Sequence, residues 1–306
     1  MIPKNKLILF AKGFSMGVAD IVPGVSGGTI ALVTGIYDEL IKSISSINKS
    51  FFQNILKLNI KEALNQINIA FLLPLICGIG FAIISMSRIM HFFMSEYSVY
   101  TWSLFFGLIL SSIIYVSKTI ENIFSPKKMI GIILGTIIGY AVVSLIPVQT
   151  SEASWMIFLS GSIAICAMIL PGISGSFILL ILGKYLFVTS AIKNPFLMES
   201  LSIIAIFGGG CIVGLLLFSK LLNYLLNNFH GMTMAVLTGF MIGSMKKIWP
   251  WKEVLETTMI RGKVHVLKEM NTVPNEINTE VILAVFFMIL GVSLVLILEK
   301  MSKKSI

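Results

Sequence analysis

Two copies of one short segment hold the residues of this chain whose types and spacing could do chemistry. The first copy covers residues 23–37 and the second residues 171–185; eight of the fifteen aligned positions are identical, and both copies begin Pro-Gly-x-Ser-Gly. Each copy places a helix-breaking Pro-Gly pair inside an apolar stretch, which predicts a broken or re-entrant membrane helix. A matched pair of such breaks is the best sequence indication of a transporter's substrate site.

The two breaks are predicted to form one anion-binding site. A helix that resumes after a break points its free backbone N–H groups and its positive dipole end at the break, where a phosphate or carboxylate fits. Glycines let a ligand approach the backbone, and hydroxyl groups add donors. Close helix packing by small residues is the alternative interpretation, which a single copy would favour. The predicted substrate-binding residues in the breaks are Pro23, Gly24, Ser26, Gly27, Gly28, Thr29, Pro171, Gly172, Ser174, Gly175 and Ser176.

Two charged residues within apolar segments are further candidates. Asp20 precedes the first break by three residues, and the second copy has Met168 at that position. An intramembrane carboxylate costs about 2.5 to 3.5 kcal/mol on insertion scales, so Asp20 is predicted to carry a coupling ion, H⁺ or Na⁺; an interfacial or backbone-bonded Asp is the alternative. Arg88 is predicted to pair with the phosphate or with Asp20, although snorkelling to the interface explains it equally well. Snorkelling is at least as good an explanation for two further cationic candidates, Lys184 and Lys220, and His91 is a weaker candidate for a proton relay.

The elements that position these residues must lie in a membrane. Hydrophobic residues make up 56% of the 306 residues and charged residues only 12%, and the mean hydropathy is +0.94, which excludes a soluble domain. The net charge of +9 comes from basic residues scattered singly through the loops, which is not the pattern that binds nucleic acid. The three cysteines lack metal-ligand spacing, and no metal or cofactor is expected.

The predicted fold is an all-α polytopic membrane protein. A bilayer core needs about twenty apolar residues per helix, and three such spans occur in each half. The motif regions, 7–37 and 155–187, are too long for one straight helix and too short for two crossings. Each is therefore predicted to be a re-entrant hairpin that returns to its own side. The six predicted spans cover residues 70–95, 100–117, 129–147, 201–226, 232–249 and 281–299.

The chain is further predicted to consist of two inverted repeats. Three crossings plus a returning hairpin is an odd count, so the second half must be inverted relative to the first. Beyond the motif, residues recur at an offset of 132, and the aligned pairs include Thr101 with Thr233, Gly78 with Gly210 and Gly107 with Gly239. The predicted units are a first repeat over 1–150, with hairpin 7–37 and a cytoplasmic amphipathic helical segment over 38–68, and a second repeat over 151–306, with hairpin 155–187 and an extracytoplasmic loop over 250–280.

Loop charges agree with this topology except in one segment. With a cytoplasmic amino terminus, most lysines outside the spans fall on the cytoplasmic side, and the short outside loops near Glu96 and Glu152 carry no Lys or Arg, as the positive-inside rule requires. Segment 246–280 disagrees, because it holds six basic residues and is predicted to lie outside.

Both motif regions resemble one known family. Residues 13–29 with Gly35-Ile36-Tyr37, and residues 170–177 with Gly183-Lys184-Tyr185, are similar to the two motifs of the polyprenyl-phosphate transporter family, long catalogued only as a domain of unknown function. The resemblance spans nearly the whole chain. It implies a protein of the bacterial plasma membrane that returns undecaprenyl phosphate, the lipid carrier for cell-wall polymers, from the outer to the inner leaflet. A lipid-linked phosphate and the surrounding membrane lipids are then the expected partners.

Two other functions stay open at this level. Membrane phosphatases that act on polyprenyl diphosphate also use paired re-entrant segments, but their site resembles a Glu-rich stretch followed by Ser-Ser-x-Gly-His. This chain has Ser26-Gly27-Gly28-Thr29 in that place, so an enzyme is not expected. A transporter of a small soluble anion would use the same site with a watery path. The sequence leaves the coupling ion and the oligomeric state open.

Overall fold

The computed structural model describes residues 6–22, 24–193, 196–260 and 263–304. These residues are predominantly helical, with one pair of strands. In chain order the elements are α1 (Lys6–Ile21), α2 (Gly27–Val33), α3 (Tyr37–Ser45), α4 (Lys49–Leu56), α5 (Ile60–Gln66), α6 (Ile69–Glu96), α7 (Ser98–Thr119), α8 (Pro126–Val143), α9 (Ser154–Ile169), α10 (Gly175–Ile181), α11 (Tyr185–Lys193), α12 (Met198–Ser244), β1 (Lys252–Ile260), β2 (Lys263–Asn271) and α13 (Thr279–Lys304).

Five helices of the described residues are long and apolar enough to cross a bilayer, namely α6, α7, α8, α12 and α13. Four of the predicted spans each match one of these helices. The remaining two predictions, 201–226 and 232–249, fall largely on α12. The 47 residues of α12 would extend about 70 Å as one straight helix, more than twice the thickness of a bilayer core at about 30 Å. The chain is therefore a multi-pass membrane protein.

α12 is two helices joined at a break, and this break has the geometry of the corner between α6 and α7. Phe229 leaves the helical conformation within α12 (φ −137°, ψ 41°), and Tyr97 between α6 and α7 has almost the same angles (φ −129°, ψ 43°). At each corner a threonine four residues later donates its hydroxyl to the corner carbonyl, Thr101 to Tyr97 at 2.9 Å and Thr233 to Phe229 at 3.0 Å. The break lies where the sequence predicts a turn between two spans.

Both motif regions fold into three helices of matching lengths. α1, α2 and α3 contain 16, 7 and 9 residues, and α9, α10 and α11 also contain 16, 7 and 9. Gly24 and Gly172 turn the chain after the first helix of each set with φ of +89° and +83°, a conformation that suits glycine because it has no Cβ. The bend between α10 and α11 is 117°. The helix is thus interrupted at both motifs.

Small residues let the corresponding helices approach each other at corresponding points. Gly13 of α1 lies on the Leu75 carbonyl of α6, and Gly161 of α9 lies on the Phe207 carbonyl of α12. Farther along the chain, α8 packs on α12 and α13 packs on α7. The last span of each half therefore lies against a span of the other half, and this exchange interlocks the two halves.

The expectation of an entirely α-helical chain is corrected in the predicted loop 250–280. β1 and β2 pair there as antiparallel strands, with Lys252 opposite Asn271 at one end of the register. β-Branched residues such as Val254 and Thr257 favour extended backbone, and the segment has too many charged residues to continue as a membrane helix.

The amphipathic helix expected over residues 38–68 is also corrected. The segment forms three short helices, α3, α4 and α5, rather than one. Asn48 separates the first two because its side chain accepts the N–H groups of Ser50 and Phe51 and so starts a new helix, which is the usual role of Asn at a helix N-cap.

Candidate functional site

The first break is capped by a carboxylate of the chain itself. Asp20, in the last turn of α1, accepts the Gly27 N–H of α2 on Oδ1 at 2.7 Å. Ser26 precedes α2 and accepts the Gly28 N–H at 3.0 Å. An acidic side chain and an N-cap serine are both groups that stabilise a helix N-terminus. In this conformation Asp20 therefore occupies the position at which the sequence predicts an external anion.

The two breaks are in direct contact. Ser26 Oγ donates to the Met168 carbonyl at 2.9 Å, and the Gly172 N–H donates to Thr29 Oγ1 at 3.0 Å. The fully buried Tyr37 donates its hydroxyl to the carbonyl of the last residue of α9 at 3.3 Å. Side chains of the first motif thus pair with backbone groups that the second break leaves without helical partners, and such groups are costly in hydrocarbon when unpaired.

The second break is not capped in this way. Met168 stands where the first copy has Asp20, and among the described residues no side chain caps the start of α10 at Ser174. Ser174 Oγ lies 2.7 Å from Ser176 Oγ instead. The start of α10 therefore presents two hydroxyl groups where the start of α2 already holds a carboxylate.

A cavity of about 520 Å³ opens at the start of α10. Apolar residues of α6 and α9, among them Met90 and Met168, form part of its wall. None of the described residues that line it is Lys or Arg. The cavity offers hydroxyl donors to an anion, and its lining also contains one carboxylate. Its polar lining consists of Asp20, Ser87, His91, Ser174, Ser176 and Tyr185.

An apolar groove of about 490 Å³ lies beside this cavity along α6 and α7. Met90 lines both spaces. Aromatic side chains, including Phe93, Phe105 and Phe287, form much of the groove's wall. Burying a hydrocarbon chain against such a wall is favourable by about 25 cal/mol for each Å² of apolar surface removed from water. The cavity and the groove together provide one polar end and one apolar track.

The remaining residues predicted from the motifs lie around the contact between the breaks. Gly24 and Gly172 form the tips of the two turns. Gly172 packs against the last turn of α12, and Gly24 packs against Lys247 and Ile248 just after it. Pro171 is buried in the second turn, and Pro23 lies outside the described residues. Gly27 cannot gain a Cβ without meeting the Asp20 carboxylate at 2.5 Å, so its backbone is already in close contact with a side chain.

The predicted lysine and arginine candidates do not line the cavity. Arg88 is exposed on α6 and lines neither the cavity nor the groove, and Lys220 is exposed on α12. Lys184 does not snorkel as expected, because it is only 2% exposed and donates to the Thr150 carbonyl at 2.7 Å. His91, the weaker candidate for a proton relay, does line the cavity.

Sequence reasoning missed a group of three lysines after the end of α12, which we call the lysine cluster. Lys247 and Lys252 both donate to Glu269 Oε1 of β2, at 2.6 and 3.0 Å. Lys246 donates to Ser144 Oγ at the end of α8 at 2.7 Å. Burial lowers the pKa of Lys252 to about 8, and the neighbouring charge of Lys247 acts in the same direction. Burial alone would raise the pKa of Glu269, but the two lysines hold it below its usual value.

Each ammonium group of the lysine cluster also lies over an aromatic ring. Lys246 Nζ lies 4.3 Å from the ring centroid of Tyr140. Lys247 Nζ lies 5.0 Å from that of Phe177, and Lys252 Nζ lies 4.5 Å from that of Trp102. Such contacts hold a cation favourably in a partly desolvated place. The sequence signal that could have revealed the cluster is three lysines within residues 246–252, interleaved with two tryptophans.

Membrane-spanning helices around two apposed helix breaks, with a polar cavity at the breaks, define a membrane transporter of the broken-helix type. Comparison with known proteins agrees with this class. The chain belongs to the undecaprenyl phosphate translocase-like family, whose model matches residues 16–266.

Two curated relatives are both named polyprenyl-phosphate transporter. The chain is 40% identical to the relative from Vibrio cholerae serotype O1 over 307 residues, which cover 98% of each chain. It is 35% identical to the relative from Staphylococcus aureus over 260 residues, 80% of this chain and 87% of that relative. These names confirm the family that the two motifs resemble and the expectation of a transporter rather than an enzyme. No solved structure matches the chain.

Proposed function

We propose that the chain transports polyprenyl phosphate, and that it returns undecaprenyl phosphate from the outer to the inner leaflet of the bacterial plasma membrane for reuse as a cell-wall lipid carrier. The observation that carries the proposal is the polar cavity at the start of α10 beside the apolar groove along α6 and α7, with Met90 in both linings. A lipid phosphate needs these two surroundings side by side, because its headgroup is costly in hydrocarbon and its tail is costly in water.

The headgroup binds in the cavity at the second break. Ser174 and Ser176 supply hydroxyl donors, which form strong hydrogen bonds with a charged phosphate, and Gly175 between them also lines the cavity. The first break, from Gly24 to Thr29, frames this site through its bonds to the ends of the second break. Arg88 is exposed, and we assign it to the membrane interface, where long basic side chains snorkel.

Asp20 couples headgroup binding to a cation. It is an acidic residue of a cavity whose described lining contains no Lys or Arg. A phosphate that entered beside an ionised carboxylate would be repelled by about 4 kcal/mol at 4 Å in the effective dielectric of a protein surface. A proton or Na⁺ on Asp20 removes this repulsion. Cation and headgroup then occupy the cavity together, and the ion gradient across the plasma membrane drives the lipid.

The two halves, residues 1–150 and 151–306, are inverted repeats with re-entrant motif regions. The equal helix lengths and the matching corners at Tyr97 and Phe229 support this arrangement. Single cysteines can test it in a background without the native ones. Cysteines at Asn54 and Ser125 are expected to react with an impermeant reagent only from the cytoplasm, and a cysteine at Glu152 only from outside. Labelling of Asn54 and Ser125 from opposite sides would overturn the topology.

Transport can be measured in vesicles that contain the purified protein and polyprenyl phosphate in both leaflets. An impermeant phosphatase added outside hydrolyses only outer-leaflet headgroups, so the inner pool stays protected in vesicles without protein. We expect the protein to expose the inner pool, and an imposed proton or Na⁺ gradient to change the rate. Full protection of the inner pool in the presence of folded protein would contradict the proposal.

The same vesicles separate the two other functions. Release of phosphate from polyprenyl diphosphate without added phosphatase would indicate a membrane enzyme. Uptake of inorganic phosphate, with no movement of the lipid, would indicate a transporter of a small anion. Polyprenol, which has the tail but no phosphate, is the matched control for effects of the tail alone.

A further inference from the structure

The lysine cluster has more positive charge than its ion pairs balance. Lys247 and Lys252 share one oxygen atom of Glu269, and Lys246 bonds a neutral hydroxyl group. Lys252 is the more buried of the two paired lysines, with 10% of its side chain exposed against 22% for Lys247. A partly buried pair of like charges around a single carboxylate oxygen is an arrangement that favours a further or stronger anion.

An unpaired donor lies next to this cluster in the chain. Trp251 Nε1 is buried, and no acceptor among the described residues bonds it. Its neighbour Trp249 provides the contrast, because its Nε1 donates to the Thr272 carbonyl at 2.7 Å. Buried donors in folded proteins almost always have an acceptor, so the indole N–H of Trp251 is a donor that a ligand at this place could use.

The lysine cluster adjoins both breaks but is separate from the cavity. The side chain of Lys247 packs on Gly24 at the tip of the first break, and its ammonium lies over Phe177 of α10. Phe177 directly follows Ser176, which lines the cavity. None of the cluster residues lines the cavity. The start of α10 therefore lines the polar cavity through Ser176, and the following residue, Phe177, contacts the lysine cluster.

We propose that Lys246, Lys247 and Lys252 form a second binding site for a phosphate monoester, and that Glu269 of the β-hairpin occupies this site until the phosphate displaces it. Lysine ammonium groups bind phosphate as strongly hydrated point charges with three donors each, and a dianionic phosphate attracts them more than one carboxylate does. The hairpin β1–β2 then acts as a tethered competitor. This site rests on the proposed function, because the phosphate that it binds is the headgroup of the transported lipid, before or after that headgroup occupies the cavity.

The test is binding of polyprenyl phosphate and of inorganic phosphate to the purified full-length protein in detergent. Lys247→Gln and Lys252→Gln are expected to weaken binding at this second site by about tenfold each, the scale of one hydrogen bond to a charged group. Glu269→Gln, which removes the competitor, is expected to tighten binding. Lys220→Gln removes an exposed lysine elsewhere on α12 and is the matched control, with unchanged affinity.

Hydrogen exchange gives a second readout on the unaltered protein. Displacement of Glu269 removes its bonds to the lysines, so bound phosphate is expected to speed amide exchange in β1 and β2. A purely structural cluster would show no change or slower exchange. That result would overturn the proposal of a second site. Binding that is unchanged in both Lys247→Gln and Glu269→Gln would also overturn it.

Failure of this site and failure of the proposed function give different results. If the wild-type protein binds neither polyprenyl phosphate nor inorganic phosphate, the proposed function fails together with this site. If it binds the lipid phosphate but none of the cluster variants changes the affinity, only the lysine site fails. If the lysines are needed for binding of polyprenyl phosphate but inorganic phosphate does not bind, the ligand of this site is the lipid headgroup. If inorganic phosphate binds equally well, the ligand is free phosphate.

Discussion

The two breaks have the same backbone plan and different side chains at one position. Both turn at a glycine with positive φ and both resume in a seven-residue helix. Asp20 caps the resumed helix of the first break, whereas Met168 stands at the corresponding place in the second. The start of α2 is therefore closed by a carboxylate of the chain, and the start of α10 opens into the cavity.

This difference underlies the two roles that the proposed function gives to the duplicated motif. A helix N-terminus favours one anion, and the first break already has its own. The hydroxyls of the second break remain for the ligand, next to the carboxylate of the first. Under the proposed function, the first break couples the ion and the second binds the headgroup, and the two roles can be tested separately.

The largest effect is expected from making the second break resemble the first. Met168→Asp would place a second carboxylate at the cavity, and like charges about 4 Å apart repel by a few kcal/mol near a protein surface. Binding of polyprenyl phosphate to the purified protein is expected to fall by about a hundredfold or more. Met168→Asn is the control, because Asn has nearly the size of Asp and no charge, and this variant should lose much less binding. Equal losses for both variants would mean that charge does not distinguish the breaks.

Removing the charge of the first break tests the coupling role of Asp20. Asp20→Asn is expected to keep binding of polyprenyl phosphate, because the binding hydroxyls belong to the second break. Transport in vesicles should lose its response to imposed proton and Na⁺ gradients, since the neutral amide can neither bind a proton nor attract a cation. Asp38→Asn, at an exposed carboxylate that pairs with His230, is the control. A normal gradient response of Asp20→Asn would make Asp20 a structural cap only.

Substituting the N-cap serines of the two breaks should affect different properties, binding for Ser174 and stability for Ser26. Ser174→Ala is expected to weaken polyprenyl phosphate binding by about 1 to 3 kcal/mol, through loss of a hydrogen bond to a charged group. Ser26→Ala loses the cap of α2 and the bond to Met168, so it should lower thermal stability in detergent by about 1 to 2 kcal/mol. If Ser26→Ala weakens binding as much as Ser174→Ala and leaves stability unchanged, the two roles are not separated.

Contact between the breaks can be tested at one glycine. A Cβ at Gly28 would clash with the Ile169 carbonyl of the second break, so Gly28→Ala is expected to lower thermal stability by about 1 to 3 kcal/mol, as overpacking does. Gly80→Ala is the matched control, because a Cβ at Gly80 meets no heavy atom within 4 Å. Equal melting temperatures for the two variants would show that the breaks are not tightly packed together.

The smallest effect concerns the tip of the first break, which touches the lysine cluster. The pKa of Lys252 is lowered from 10.5 to about 8 in the folded protein, so between these values the unfolded chain binds more protons and stability rises with pH. Hydrogen exchange in β1 and β2 should slow between pH 8 and 9, after correction for the intrinsic rate, by about 1 kcal/mol of opening free energy. Lys252→Gln should abolish this dependence. A dependence that persists in the variant belongs to another group.

Much of the architecture follows from local sequence. Each predicted span lies on a helix of the structure, because some twenty consecutive apolar residues have few alternatives to a membrane helix. The breaks lie at the two Pro-Gly segments, since glycine alone adopts the required turn without strain. The β-hairpin was missed because the strand signal in a charged segment is weak, and pairing of its strands depends on their contact.

The site depended far more on the tertiary structure. The sequence indicated that Asp20, Ser174 and Ser176 could act together, and they line one cavity. It offered a backbone-bonded Asp20 and an exposed Arg88 only as alternatives, and it did not indicate that Lys184 is buried. The side on which a residue of a membrane helix lies depends on which helix packs beside it, and the residue alone does not specify this.

By itself, the sequence determined that the chain is a multi-pass membrane protein with two broken helices, because hydropathy and the Pro-Gly breaks act over a few residues and against a bilayer of known thickness. Only the tertiary structure decided that Ser26 meets Met168, 142 residues away, and that Lys247 reaches Glu269. Such contacts join side chains that are distant in sequence, so they form only when the interlocked helices have set the distance between them.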